Sequence, residues 1–75
     1  MRVQYFSDTD TLLLVFNDQP VVATEDVSED ILMDLDALGR PVSITIEHAQ
    51  SVTNVLNFSY EHIADTDSGL TKKAS

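Results

Sequence analysis

Three carboxylates lie in the middle of the sequence, where they could bind a hard metal ion. Asp34 and Asp36 are two residues apart, which places them on the same side of an extended strand, and Glu47 ends the next apolar run. Mg²⁺ and Ca²⁺ prefer several oxygen ligands, so these three side chains are a candidate metal site. The competing interpretation is structural, with Asp36 starting a turn, Asp34 solvated and Glu47 ending a strand. Because no further ligands accompany the carboxylates, the sequence favours the structural interpretation, without metal or cofactor.

The histidines are the other side chains that could take part in catalysis. A catalytic histidine needs a nucleophile within hydrogen-bond reach and a group that orients its ring. Ser43, Ser51 and Ser59 are available, but none lies in a glycine-flanked nucleophile pattern. We expect His48 at the junction after the last strand and His62 on the surface. The sequence therefore predicts no catalytic residue and no enzymatic activity.

The carboxylates belong to a segment that predicts two strands joined by a tight turn. Apolar and polar residues alternate from Asp30 to Glu47, and this period of two is typical of half-buried strands. Asp36 and Gly39 bracket the turn. An aspartate first and a glycine last suit a type I turn that ends in a left-handed residue.

Three more strands are predicted before this hairpin, separated by short polar turns. They cover residues 2–6, 11–16 and 21–27. The second is apolar on both sides, with Leu12, Leu14 and Phe16 on one face and Leu13 and Val15 on the other. About five short strands at regular spacing indicate an antiparallel meander.

After Glu47 the pattern supports two interpretations. Helical spacing of apolar residues would allow one helix from about 48 to 64, whereas alternation around Phe58 and Tyr60 favours extended chain. We favour a short helix near 48–54 followed by an arm, because asparagine and serine are weak helix formers. The expected fold is therefore α+β, with a mainly antiparallel meander and a short C-terminal helix or arm in one domain at 1–64. The polar residues 65–75 are expected to be a disordered tail.

Length and charge restrict the classes of partner. A chain of 75 residues has a small core, and without cysteine it has no disulfide to stabilise that core. Self-association is the remaining source of stability, so we expect a homodimer. The net charge of −9 opposes direct binding to nucleic acid and to anionic membranes, and allows a basic protein partner. No apolar run has the length of a membrane helix or a signal peptide. A chain without cysteine fits the cytoplasm.

A candidate interface combines the second sheet face with the C-terminal arm. Its predicted residues are Leu13, Val15, Leu32, Leu56, Phe58 and Tyr60. The three strand residues form an open apolar patch that binds a partner, or the arm covers them within the monomer. A third arrangement has the arm covering the sheet of a twofold mate.

The order of these segments resembles a family of short bacterial proteins known as domain of unknown function twenty-two eighty-three. The resemblance covers Met1 to about Ser51. It lies in the stretches Asp10–Phe16, Thr24–Glu25, Asp34–Asp36, Gly39–Arg40 and Ile44–Ala49. Ser43 stands where relatives often have glycine, and Leu13 and Val15 where they often have polar residues. The resemblance implies a small β-rich fold without an established activity. Genes of the family often lie beside genes for small toxin-like proteins, which implies an antitoxin role.

The function expected from these observations is that of a small acidic, non-enzymatic protein-interaction module. Its specific form is an antitoxin-like partner of a small basic toxin. The alternative is a metal-binding or metal-dependent hydrolytic protein that uses Asp34, Asp36 and Glu47.

Overall fold

Five antiparallel strands form one sheet in the computed structural model, which describes residues 1–64. The strands are β1 (Arg2–Phe6), β2 (Thr11–Val15), β3 (Ala23–Asp26), β4 (Ile31–Leu35) and β5 (Pro41–Glu47). The five strands predicted from alternation are confirmed, and the bounds of β1 agree at both ends. The tail at 65–75, which was expected to be disordered, lies outside the described residues.

The strand order is β1-β2-β5-β4-β3, so the expected meander is wrong. β2 pairs with β5, and residues 16–22 connect β2 to the opposite edge of the sheet. This is a Greek-key arrangement of β2 to β5. The physical reason for this strand order is the difference between β2 and β3. β2 is apolar and half-buried throughout, whereas all four residues of β3 are exposed and include Glu25 and Asp26. An acidic strand is suited to an edge, where charge discourages pairing with another chain.

The β4–β5 turn has the predicted chemistry. Asp36 accepts the amide hydrogen of Gly39 on its carbonyl oxygen at 2.9 Å, and Gly39 has a φ of +79°. The carboxylate of Asp36 accepts two more backbone amides, from Leu38 and Arg40, each at 2.9 Å. These bonds stabilise the turn and fix the register of β4 and β5, the two strands that it joins.

The most buried strand residues lie on β5, the central strand. A shift of register between Asp34 and Leu35 leaves Val42 as the extra residue of a β-bulge. Val42 is only 5% exposed, and its carbonyl accepts the amide hydrogen of Phe16 at 2.8 Å. Ser43 and Ala49 are the other buried residues within 1–64. The core is therefore a narrow strip along β5, and most apolar side chains remain half-exposed.

Between β5 and residue 64 the chain forms only a single 3-10 turn, at Ala49–Ser51, so the α+β label is not confirmed and the described residues form a mainly antiparallel β fold. Asn54 explains why no helix continues. Its side-chain oxygen accepts the amide of Leu56 at 3.2 Å and its carbonyl accepts that of Asn57 at 3.1 Å. Asparagine competes in this way with helical hydrogen bonds. The expected irregular arm follows, and no helix in the described part of the chain has the length and apolarity to span a membrane.

Candidate functional site

One face of the sheet is apolar across four adjacent strands. The register aligns Val3, Leu14, Ile44 and Met33 in one row and Tyr5, Leu12, Ile46 and Ile31 in the next. Paired residues in an antiparallel sheet point to the same side, so these eight side chains form one surface, here called the apolar face. All eight are half-buried. Glu25, on the edge strand, is the one charged residue at the paired strand positions of this face.

The opposite face, here called the polar face, carries three of the predicted interface residues. Leu13 and Leu32 both pair with Thr45, and Val15 pairs with Ser43. The register therefore confirms that they share a face, and it places hydroxyl-bearing residues between them. Leu13, Val15 and Leu32 are each half-buried. Leu13 and Val15 are neighbours along β2, whereas Thr45 separates Leu13 from Leu32, and their part in an interface stays a prediction.

The middle of the C-terminal arm, which comprises residues 52–64, lies beside the apolar face. Val55, Phe58 and Tyr60 line a groove of about 760 Å³ together with Met1 and the β1 and β2 residues of the apolar face. These three arm residues therefore lie on the other side of the sheet from Leu13, Val15 and Leu32. Three apolar or aromatic side chains of the arm are largely exposed: Leu56 (89%), Phe58 (63%) and Tyr60 (76%).

The candidate metal ligands are not brought together. Asp34 accepts hydrogen bonds from the hydroxyls of Thr24 at 2.7 Å and Ser43 at 2.8 Å. The amides of Arg40 and Leu38 donate to Asp36 and lower its pKa below the ordinary 3.8. Glu47 lies at the far end of β5, opposite Thr11. Within residues 1–64, no group of three histidine or acidic side chains has the geometry to bind a metal.

Asp10 is a structural centre that the sequence did not reveal. Its carboxylate accepts the phenol hydrogen of Tyr5 at 2.7 Å and the amide of Gln50 at 3.2 Å, and its carbonyl accepts the amide of Ala49 at 2.9 Å. Gln50 closes the cluster by donating its side-chain amide to the Tyr5 oxygen at 3.0 Å. The bond to Asp10 raises the pKa of Tyr5 above the ordinary 10.0, because it favours the protonated phenol. This cluster fixes the start of the arm against the β1–β2 turn.

His48 occupies the expected junction after β5, in the left-handed conformation with a φ of +54°. Its Nδ1 lies 2.9 Å from Asp30 Oδ1, and this carboxylate raises the pKa of His48 above the ordinary 6.5. Ser51 donates its hydroxyl hydrogen to the His48 carbonyl at 2.7 Å, and not to the ring. His62 is exposed, as predicted. The arrangement joins the β3–β4 turn to the end of β5, which is a structural task.

Comparisons with known proteins agree with the motif order. A family model described as a protein of unknown function, DUF2283, matches residues 2–50. This range contains all five strands and the bond between Asp10 and Gln50, and it ends before the arm. A search of curated proteins and a search of solved structures each find no match. The match covers more than half of the chain, and the protein therefore belongs to the DUF2283 family, whose function is unknown.

Proposed function

We propose that the protein is a non-enzymatic protein-interaction module. The observation that carries this proposal is the apolar face, with eight half-exposed apolar or aromatic side chains on four adjacent strands. A sheet normally buries its apolar face against a second layer. Exposed apolar surface of this extent is typical of a binding site.

The side chains that could do chemistry support the non-enzymatic part of the proposal. The oxygens of Asp34 and Asp36 accept hydroxyl and amide hydrogens that fix the sheet and its turn. The His48 ring faces Asp30, and the nearby Ser51 hydroxyl donates to backbone. These groups stabilise strands and turns, which accounts for their positions without a catalytic role.

The acidic surface supports a basic partner. Residues 1–64 contain eleven acidic and two basic residues, and the strands of the polar face carry Asp26, Asp34 and Glu47 against one basic residue, Arg2. A small basic protein would be attracted to this surface at long range. This is the antitoxin-like form of the module, and the family's association with toxin-like genes supports it. A chain without cysteine suits the reducing cytoplasm, where we place this interaction.

Calorimetry with any small basic protein that is encoded beside its gene tests this form. We expect binding at low salt that weakens as salt is added, because exposed charges are screened within about 10 Å at 0.1 M ionic strength. Asp26→Asn, on the polar face, should weaken binding, and Glu61→Gln, on the arm, is the matched control. Absence of binding at low salt, or binding that salt leaves unchanged, would contradict the proposal.

A further inference from the structure

Within residues 1–64, the apolar face has no second layer of the kind that normally buries one side of a sheet. Of the described residues outside the strands, those of the arm lie beside it, and the groove that they form has no lining residue from β3, β4 or β5. We propose that a second copy of this chain covers the face, so that two sheets stack into a two-layer β-sandwich. This inference rests on the proposed function, because it names the occupant of the apolar face.

The chemistry of the face fits a second copy better than a basic partner. The acidic side chains that would attract a basic protein lie on the polar face and in the turns, whereas Glu25 at the sheet edge is the one charge at the paired positions of the apolar face. Ile44 lies on the central strand and in the middle of its row. A twofold axis near Ile44 therefore places one neutral surface on an identical one, and keeps Glu25 of each copy at the periphery.

The area of the face shows why the arm belongs to the same interface. Four strands about 4.8 Å apart and about 17 Å long give a flat area of about 330 Å² per copy, or about 650 Å² for both. Specific interfaces bury about 1,200–2,000 Å² in total. Phe58 and Tyr60 lie beside the face and are largely exposed, and each buried aromatic side chain adds about 150–250 Å². With the aromatic residues of both arms, the stacked pair reaches the size of a stable dimer.

The solution mass of the full chain, measured by light scattering, tests the inference with two neighbouring substitutions. The wild type should have twice the mass of the 8.3 kDa chain. Ile44→Glu puts a charge in the centre of the apolar face, and should weaken association by about 100-fold or more, since a buried unpaired charge is costly. Thr45→Glu is the matched control, because Thr45 is adjacent, also half-buried and on the polar face. It should remain dimeric.

Cross-linking keeps the test decisive if Ile44→Glu fails to fold. The chain has no cysteine, so a single Ile44→Cys or Thr45→Cys substitution supplies the only thiol. A bismaleimide that spans stacked sheets, about 10 Å apart, should link Ile44→Cys to its mate and leave Thr45→Cys unlinked. The inference is overturned by a monomeric wild type, by equal dissociation of both glutamate variants, or by linking of Thr45→Cys alone.

The stacking and the proposed basic partner can fail separately. A monomer that binds a basic protein in a salt-dependent manner would refute the sandwich and leave the proposed function standing. A stacked dimer that binds no basic protein at low salt would support the sandwich and refute the antitoxin-like form.

Discussion

At the scale of single residues, Asp10 joins the β1–β2 turn to the segment after β5, a connection that the sequence did not reveal. It bonds to Tyr5 and Gln50 and adopts a φ of +54°. Sequence alone indicated a polar turn at residues 7–10, but a carboxylate in such a turn gives no sign of a partner 40 residues away. Asp36 could be predicted, because its partners lie within four residues.

Asp10→Ala should lower the free energy of unfolding by about 1–2 kcal/mol. The substitution removes the bonds to Tyr5 and Gln50, and alanine also tolerates the left-handed conformation less well than aspartate. The urea midpoint measures the change. Asp8→Ala, in the same turn and exposed, is the control and should shift the midpoint little. Equal shifts would show that the Asp10 cluster adds no stability.

His48 should make stability depend on pH in a defined direction. Asp30 raises the pKa of folded His48 above 6.5, so the folded state binds the proton more tightly than the unfolded state. The resulting stability is complete below pH 6.5 and is lost as the pH rises through the folded pKa. Thermal unfolding of wild type and His48→Asn should therefore differ most at acidic pH and converge at alkaline pH. Asparagine keeps the left-handed conformation accessible. His62→Asn, which replaces an exposed histidine of the arm, is the control.

At the scale of elements, alternation and turn chemistry predicted what is local and missed what is distant. β1 and the two strands of the β4–β5 hairpin could be predicted from the alternation of apolar and polar residues, and the hairpin turn from Asp36 and Gly39. The position of β2 beside β5 could not be predicted in this way. Two apolar faces indicate that a strand lies inside the sheet, but they do not indicate which strands it pairs with. The helical spacing of apolar residues after β5 indicated a helix that does not form. The side-chain and backbone oxygens of Asn54 accept backbone amides of Leu56 and Asn57 and so stop the helix.

The β4–β5 turn can be tested through its glycine. A Cβ added at Gly39 would meet nothing within 4 Å, so the φ of +79° is the one source of strain. Gly39→Ala should cost about 1–2 kcal/mol, and Gly39→Asn less, because asparagine visits this conformation more readily. Urea unfolding of both variants measures the difference. If alanine is tolerated as well as asparagine, the turn does not constrain the hairpin.

At the scale of the whole molecule, charge and apolar surface are segregated between the two faces of one sheet. The two proposed interactions should then respond to salt in opposite directions. Screening reduces the repulsion between two chains of charge −9 and should strengthen stacking, whereas it weakens attraction to a basic protein. Sedimentation of the chain alone and with a basic partner, over a series of salt concentrations, checks both. Stacking that weakens with salt would indicate that charge pairs hold the dimer.

The strand order also determines how the molecule should assemble. The β1–β2 hairpin and the β3–β4–β5 unit are each built from strands that are neighbours in sequence. Among the strand pairings, only that of β2 with β5, from Val15↔Ser43 to Thr11↔Glu47, joins the two units, and the bonds of Asp10 to Ala49 and Gln50 lie at one end of it. Loop closure over such separations is slow compared with hairpin formation. The β1–β2 hairpin and the β3–β4–β5 unit should therefore form first, and the pairing of β2 with β5 should be the last step. Partial unfolding should separate them along that seam, so the amides that join β2 to β5 should exchange with solvent together, as one cooperative unit.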